Sequence, residues 1–245
     1  MLTFNHILKG LRLSFLKSNF VKSSLVSISL VSLSLITLSS QTLAFDAEVA
    51  TETASETMSS LKTVSDTKRL KSYIKEGADL SSYKSITIDP VVATFKEGWL
   101  KRYNQEHKGL SEKIRDADAI EIKGRVEKQF PLTFADYLEK KAQLPLVNTP
   151  TRKTLRLKPV ITDLVIHAPD ILGTTSSVVM VRQVGSATLT VEIYDASSNV
   201  LLAKLISEEE TRDNQRMIRT NRVVNNSEFK QVYRDWAKDL IKLLK

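Results

Sequence analysis

The chain has 245 residues, 36 Lys and Arg against 28 Asp and Glu for a net charge of +8, 42% hydrophobic residues and no cysteine. That is enough chain for one sizeable core or two small domains. Without cysteine there is no disulfide framework, no cysteine-ligated zinc or iron–sulfur site and no thiol nucleophile, and seven Gly with six Pro leave no room for collagen-like or low-complexity structure.

The charge is unevenly spread. Lys9, Arg12, Lys17 and Lys22 precede a charge-free run, Leu25 to Leu38, and no acid occurs in residues 1–44. Fourteen residues make a helix of about 21 Å, shorter than the roughly 30 Å hydrocarbon core of a bilayer. A basic flank, a short apolar run and then Thr42-Leu43-Ala44 read as a secretory signal peptide cleaved after Ala44. An uncleaved N-terminal anchor is the alternative. No cysteine follows the run, so attachment of the bacterial lipoprotein type is excluded.

Residues 45–66 carry Asp46, Glu48, Glu52, Glu56 and Asp66 against Lys62, amid Ser, Thr and Ala. So little apolar surface does not offset the entropy of ordering, and a flexible acidic tether is expected. The folded part is then a single domain, residues 67–245, with 31 basic and 23 acidic residues.

Within it, Tyr83 to Phe95 is β-branched around Pro90, which belongs at a strand edge or bulge. Leu110, Ile114, Ala117, Ile120 or Glu121, and then Ile122 and Val126 recur at near-helical spacing, so Leu110 to Lys128 reads as an amphipathic helix. Pro131 should kink or end it, with Phe134, Tyr137 and Leu138 on a second helical stretch. Pro145 and Pro150 bracket a loop before Thr154 to His167, which alternates as a strand. Val178 to Tyr194 and Val200 to Ile206 flank Asp195-Ala196-Ser197-Ser198-Asn199 and form an antiparallel hairpin.

The strongest periodicity closes the chain: Phe229, Val232, Tyr233, Trp236, Ala237, Leu240, Ile241 and Leu244 mark one helix face. Asn225 and Glu228 have capping-box spacing at its start. The order strand, helices, three strands, helix gives an α+β class, an antiparallel or mixed sheet with helices packed on one face.

Four segments occur in a set order: SYKSITIDPVV (82–92), TLRLKPVITDL (154–164), GSATLTVEIYDASSNVLLA (185–203) and FKQVYRDWAKDLIKLL (229–244). Together they resemble the bacterial exported proteins and lipoproteins catalogued as domain of unknown function 3313. The resemblance spans about 80 to 244 and implies export and a shared fold. It brings no catalytic residue, and this chain lacks the lipoprotein cysteine that many of those relatives carry.

His107 and His167 are far apart in sequence and lack HExxH or HxH companions, so they read as satisfied or solvent-facing histidines. There is no G-x-S-x-G elbow and no phosphate loop or dinucleotide fingerprint. Asp116 and Asp118 point to different faces of a helix, Glu208 to Glu210 beside Arg212 read as a solvated cluster, and Asp89 and Asp195 read as turn residues. No catalytic, cofactor or metal residue is assigned.

Arg212, Arg216, Arg219 and Arg222 are spaced 4, 3 and 3, and a helix there would align them as an anion-binding stripe. Export and the lack of interleaved aromatics argue against nucleic acid. The expectation is an exported periplasmic or envelope protein that is not an enzyme and acts in binding or assembly, with an unidentified envelope protein or anionic envelope component as partner and no integral span after cleavage. An envelope hydrolase with an unrecognised site and a peripheral binder of anionic surfaces through the arginines are the alternatives.

Overall fold

Period-two alternation places a sheet at the centre of the molecule. The computed structural model describes residues 60–107, 113–169 and 180–245, all within one compact unit, Ala44–Lys245. In chain order these form β1 (Leu61–Asp66), β2 (Leu70–Lys75), β3 (Ser85–Ile88), β4 (Val92–Phe95), α1 (Trp99–Glu106), α2 (Asp116–Ala142), β5 (Thr154–Ile166), β6 (Met180–Val181), β7 (Gly185–Asp195), β8 (Leu201–Glu210), β9 (Ile218–Arg219) and α3 (Arg222–Leu243). Seven strands build one sheet in the order β1-β2-β8-β7-β5-β3, with β4 also on β5, while β6 and β9 pair apart from it. Strands β3 and β4 run parallel to β5 and the other neighbours in the large sheet are antiparallel. A parallel return needs a crossover, which α1 and α2 supply. The class is α+β with a mixed sheet.

Along β7, Ala187, Leu189, Val191 and Ile193 are buried, while Ser186, Thr188, Thr190 and Glu192 are only partly so. Register carries that face sideways: Ile161 meets Leu189, Leu157 meets Ile193, and Leu205 meets Val191. The helices cover this face. Phe130 of α2 makes edge-on contacts with Tyr233 and Trp236 of α3, at centroid distances of 5.6 and 6.0 Å, and the three rings are buried in one core with β5, β7 and β8.

Two prolines show how the sheet tolerates a missing donor. Pro90 lies in the break between β3 and β4, which are one edge strand interrupted at residues 89–91. Pro159 lies inside β5. Leu157 presents its carbonyl to Asp89 at 2.9 Å, so by alternation Pro159 also points to the β3/β4 side, where that break faces it. Farther along β5, Asp163 adopts positive φ (52°) at a register shift. The shift resets the phase, so that Ile161 and Leu164 both turn inward.

The structure corrects several expectations. Residues 61–66 are not tether but β1, paired with β2 from Leu61↔Lys75 to Asp66↔Lys71. Composition measures side-chain burial, whereas an added edge strand is held by its backbone. Helix α2 begins at Asp116, residues 113–115 are not helical, and the helix runs unbroken through Pro131 to Ala142. Burial of Phe130, Phe134 and Leu138 offsets the one hydrogen bond that Pro131 cannot make. Helix α3 is capped by Asn221, whose side chain accepts from the Val224 amide at 3.0 Å. Asn225 is instead buried inside the helix and donates to the Ala168 carbonyl. Helix α1 was not foreseen. The expected signal segment, 1–44, and most of the tether lie outside the described residues.

Candidate functional site

The arginine segment does not form a helix. Residues 211–217 are irregular, Ile218–Arg219 is β9, and only Arg222 enters α3. One helical face therefore does not align the four arginines. What forms is a two-stranded ribbon, with Met180 opposite Arg219 and Val181 opposite Ile218.

Because strand side chains alternate, the ribbon has two distinct faces. Val181 and Ile218 pack against the core. On the other face, Met180 and Arg219 are opposite each other, and Arg182 and Met217 adjoin the ends of the two strands. All four are exposed, Met180 by 43% and Met217 by 58%. Arg182 pairs with Asp213 at 3.5 Å. Residues 211–221 hold three arginines and one acid, Asp213, and Arg212, Arg216 and Arg219 are all exposed.

Buried Thr211 joins the ribbon to the sheet. Its hydroxyl accepts from the amides of Val184 and Gly185 at 2.9 and 3.0 Å, and its own amide donates to the Gly185 carbonyl at 2.8 Å. Gly185 admits no side chain, since a Cβ there would lie 2.0 Å from the Val165 carbonyl oxygen. Gln183 donates to Glu210 and to the Thr211 carbonyl. The base of the ribbon is thus held by buried bonds while its outer face stays open.

Of the acids singled out from the sequence, Asp118, Asp195, Asp89 and Glu209 are engaged in holding the fold. Asp118 receives the Arg115 amide and guanidinium at 2.8–2.9 Å, which caps α2 and holds its carboxyl below the usual range. Asp195 accepts from Ser197, Tyr83 and Ser198 and is also lowered, the Ser197 hydroxyl contributing most. Asp89 holds Arg156 at 2.8–3.1 Å. Glu209 contacts Arg69, yet burial moves its carboxyl upward. His107 stacks on Tyr103 at 4.0 Å and contacts the Tyr103 carbonyl. Among the described residues no cluster of three or more His, Cys, Asp or Glu could hold a metal ion.

A family described as "Protein of unknown function (DUF3313)" matches residues 51–240. The chain belongs to the DUF3313 family. No curated protein matches it significantly. Among solved structures, the PelC dodecamer from Paraburkholderia phytofirmans aligns at 10% identity and a TM-score of 0.36, over 69% of this chain and 96% of PelC. A neuraminyllactose-binding hemagglutinin homolog from Helicobacter pylori aligns at 13% identity and a TM-score of 0.31, over 67% of this chain and 86% of its own.

Two features of this DUF3313 member escaped the sequence reading although their signals were present. Phe95, Trp99, Tyr103 and His107 recur every four residues from the end of β4 through α1, Phe95 stacked on Trp99 at 4.3 Å, Trp99 tilted against Tyr103, and Tyr103 stacked on His107. Asp239 sits at the margin of the apolar stripe of α3, three residues after Trp236, where an acid needs a partner. That partner, Arg69, is far away in sequence. Among the described residues no helix is long and apolar enough to cross a membrane.

Proposed function

We propose that this DUF3313 protein is an exported, non-catalytic binding or assembly module of the bacterial envelope, and that the outer face of the β6–β9 ribbon is its contact surface. One observation carries the reading: Met180 and Arg219 share an exposed face, with exposed Arg182 and Met217 adjoining the two strands, while Val181 and Ile218 anchor the opposite face. Exposed methionine beside arginine is a composition suited to contact with another surface. Support for a non-catalytic role comes from Asp118, which caps α2, and from Asp195 and Asp239, whose bonds join elements of the fold. Support for export comes from the basic flank, the short apolar run and Ala44.

Cell fractionation with N-terminal sequencing tests the export reading. Recovery from the periplasmic or envelope fraction with Phe45 at the N-terminus is the expected result. Recovery from the cytoplasm with Met1 intact overturns it.

A further inference from the structure

We infer that the partner of the β6–β9 ribbon is an anionic phospholipid surface, an assignment that rests on the envelope reading above. The ribbon is short and double-sided, and its register puts apolar and cationic side chains on the same outward face. Met180 and Met217 are flexible, polarizable and unbranched, which suits entry between lipid headgroups. Arg219 lies on that face, and exposed Arg212 and Arg216 flank it. A guanidinium binds phosphate oxygens through two parallel N–H donors.

Val223, four residues beyond Arg219 in the first turn of α3, is a further exposed apolar side chain, at 76%. Of the two acids nearest in sequence, Asp213 is paired with Arg182 and Glu210 accepts from Gln183, which leaves Arg212, Arg216 and Arg219 in excess over the one remaining carboxylate. Charge complementarity therefore points to an anionic partner. Thioethers in place of aromatic rings favour acyl chains over stacked bases.

The place of the ribbon in the fold follows from the strands it adjoins. Strand β7 begins beside the ribbon and ends at the Asp195–Asn199 turn, and β8 returns from that turn to Thr211. The ribbon is thus at one end of the central hairpin. Glu76, which follows Ile74 opposite Ala203, is at the other end.

The absence of cysteine makes a direct test possible. In the chain as recovered from cells, a Met217→Cys variant carries one environment-sensitive fluorophore, and a Glu76→Cys variant serves as control. Each is titrated with phosphatidylcholine vesicles, with and without phosphatidylglycerol. The expected result is a blue-shifted emission at position 217 only, with the anionic vesicles only. It should be largely reversed at about 0.5 M salt, where the Debye length is about 4 Å. Adding Arg216→Glu and Arg219→Glu should weaken the response at least tenfold, since each basic residue near such a surface contributes about fivefold in affinity.

Three outcomes overturn the inference: no response at position 217, a response equal on neutral vesicles, or one unchanged by the two Glu substitutions. An equal response to inorganic phosphate or to duplex DNA overturns it in favour of those ligands. A silent probe in a chain that fractionates with the envelope rejects the lipid assignment alone, whereas cytoplasmic recovery rejects the reading beneath it.

Discussion

Arg69, in the turn before β2, holds Asp239 of α3 with two hydrogen bonds of 2.7 and 3.1 Å. The Asp239 side chain is only 3% exposed, and Ser207 of β8 and Lys242 complete its partners at 3.0 and 3.2 Å. One carboxylate thereby joins the β1–β2 turn, the sheet and the last helix. Removing it leaves Arg69 in contact with Glu209 and, at 3.5 Å, with the Ser207 hydroxyl, but takes away the acceptor to which buried Ser207 donates. Breaking such a pair costs about 3 to 5 kcal/mol; because Arg69 is 44% exposed, the lower half of that range is expected for Asp239→Ala in urea melts. Asp239→Asn should cost less, since it retains shape and an acceptor.

The same carboxylate contributes to acid sensitivity. Burial pushes Asp239 upward, but the hydrogen bonds from Arg69, Lys242 and Ser207 outweigh it and its pKa is lowered. Asp118 and Asp195 are lowered as well. A group with a depressed folded pKa binds fewer protons than the unfolded chain as pH falls, so its stabilisation is present above the unfolded value of about 3.9 and is lost below it. Glu209 is raised, chiefly by burial, and acts in the opposite sense. Melting temperature should therefore decline steeply below about pH 4, and Asp239→Asn should blunt that decline.

Trp236 is fully buried and packs on Phe130 and Tyr233. Trp236→Ala should cost about 3 to 5 kcal/mol in denaturant unfolding. Among the described residues its indole nitrogen meets no hydrogen-bond partner. Trp236→Phe, which keeps a ring and removes that orphan donor, should cost markedly less.

Thr211 offers a way to loosen the ribbon selectively. Thr211→Val leaves the Val184 and Gly185 amides without the hydroxyl they bond, at about 1 to 3 kcal/mol for each unmet group. Limited proteolysis should then cut first near the ribbon. Thr211→Ser, which retains the hydroxyl, should protect it.

Pro131 lies in the interior of α2. Pro131→Ala restores an amide that can bond the Glu127 carbonyl, and the helix-interior penalty of proline is about 3 kcal/mol. A rise in thermal stability is expected, and a fall would mean that the ring is itself required for packing.

Local pattern was informative wherever a segment's environment repeats along its length. The alternation of β5, β7 and β8 and the stripe of α3 were visible because each buries one face against a single layer. The arginine spacing misled for the opposite reason: Arg212, Arg216 and Arg219 have helical spacing, but their segment is fastened at Thr211 to the amides of residues 184 and 185 and at β9 to β6. Both fastenings link residues more than 25 positions apart, and no local window contains them. Residues 61–66 were misjudged likewise, because β2 supplies the backbone partners that their own side chains do not.

What the amino-acid order determined by itself was the secondary structure with a sustained period, the chemistries denied by the absence of cysteine, and the placement of charge, half of whose net +8 lies in residues 1–44. Tertiary structure alone decided where the remaining charge points. It joined Arg69 to Asp239 across 170 residues of sequence, and it turned Arg219 and Met180 to the same outward face. The physical reason is that periodicity reports how a segment meets one layer, whereas pairing between distant residues is set by which elements the core brings side by side.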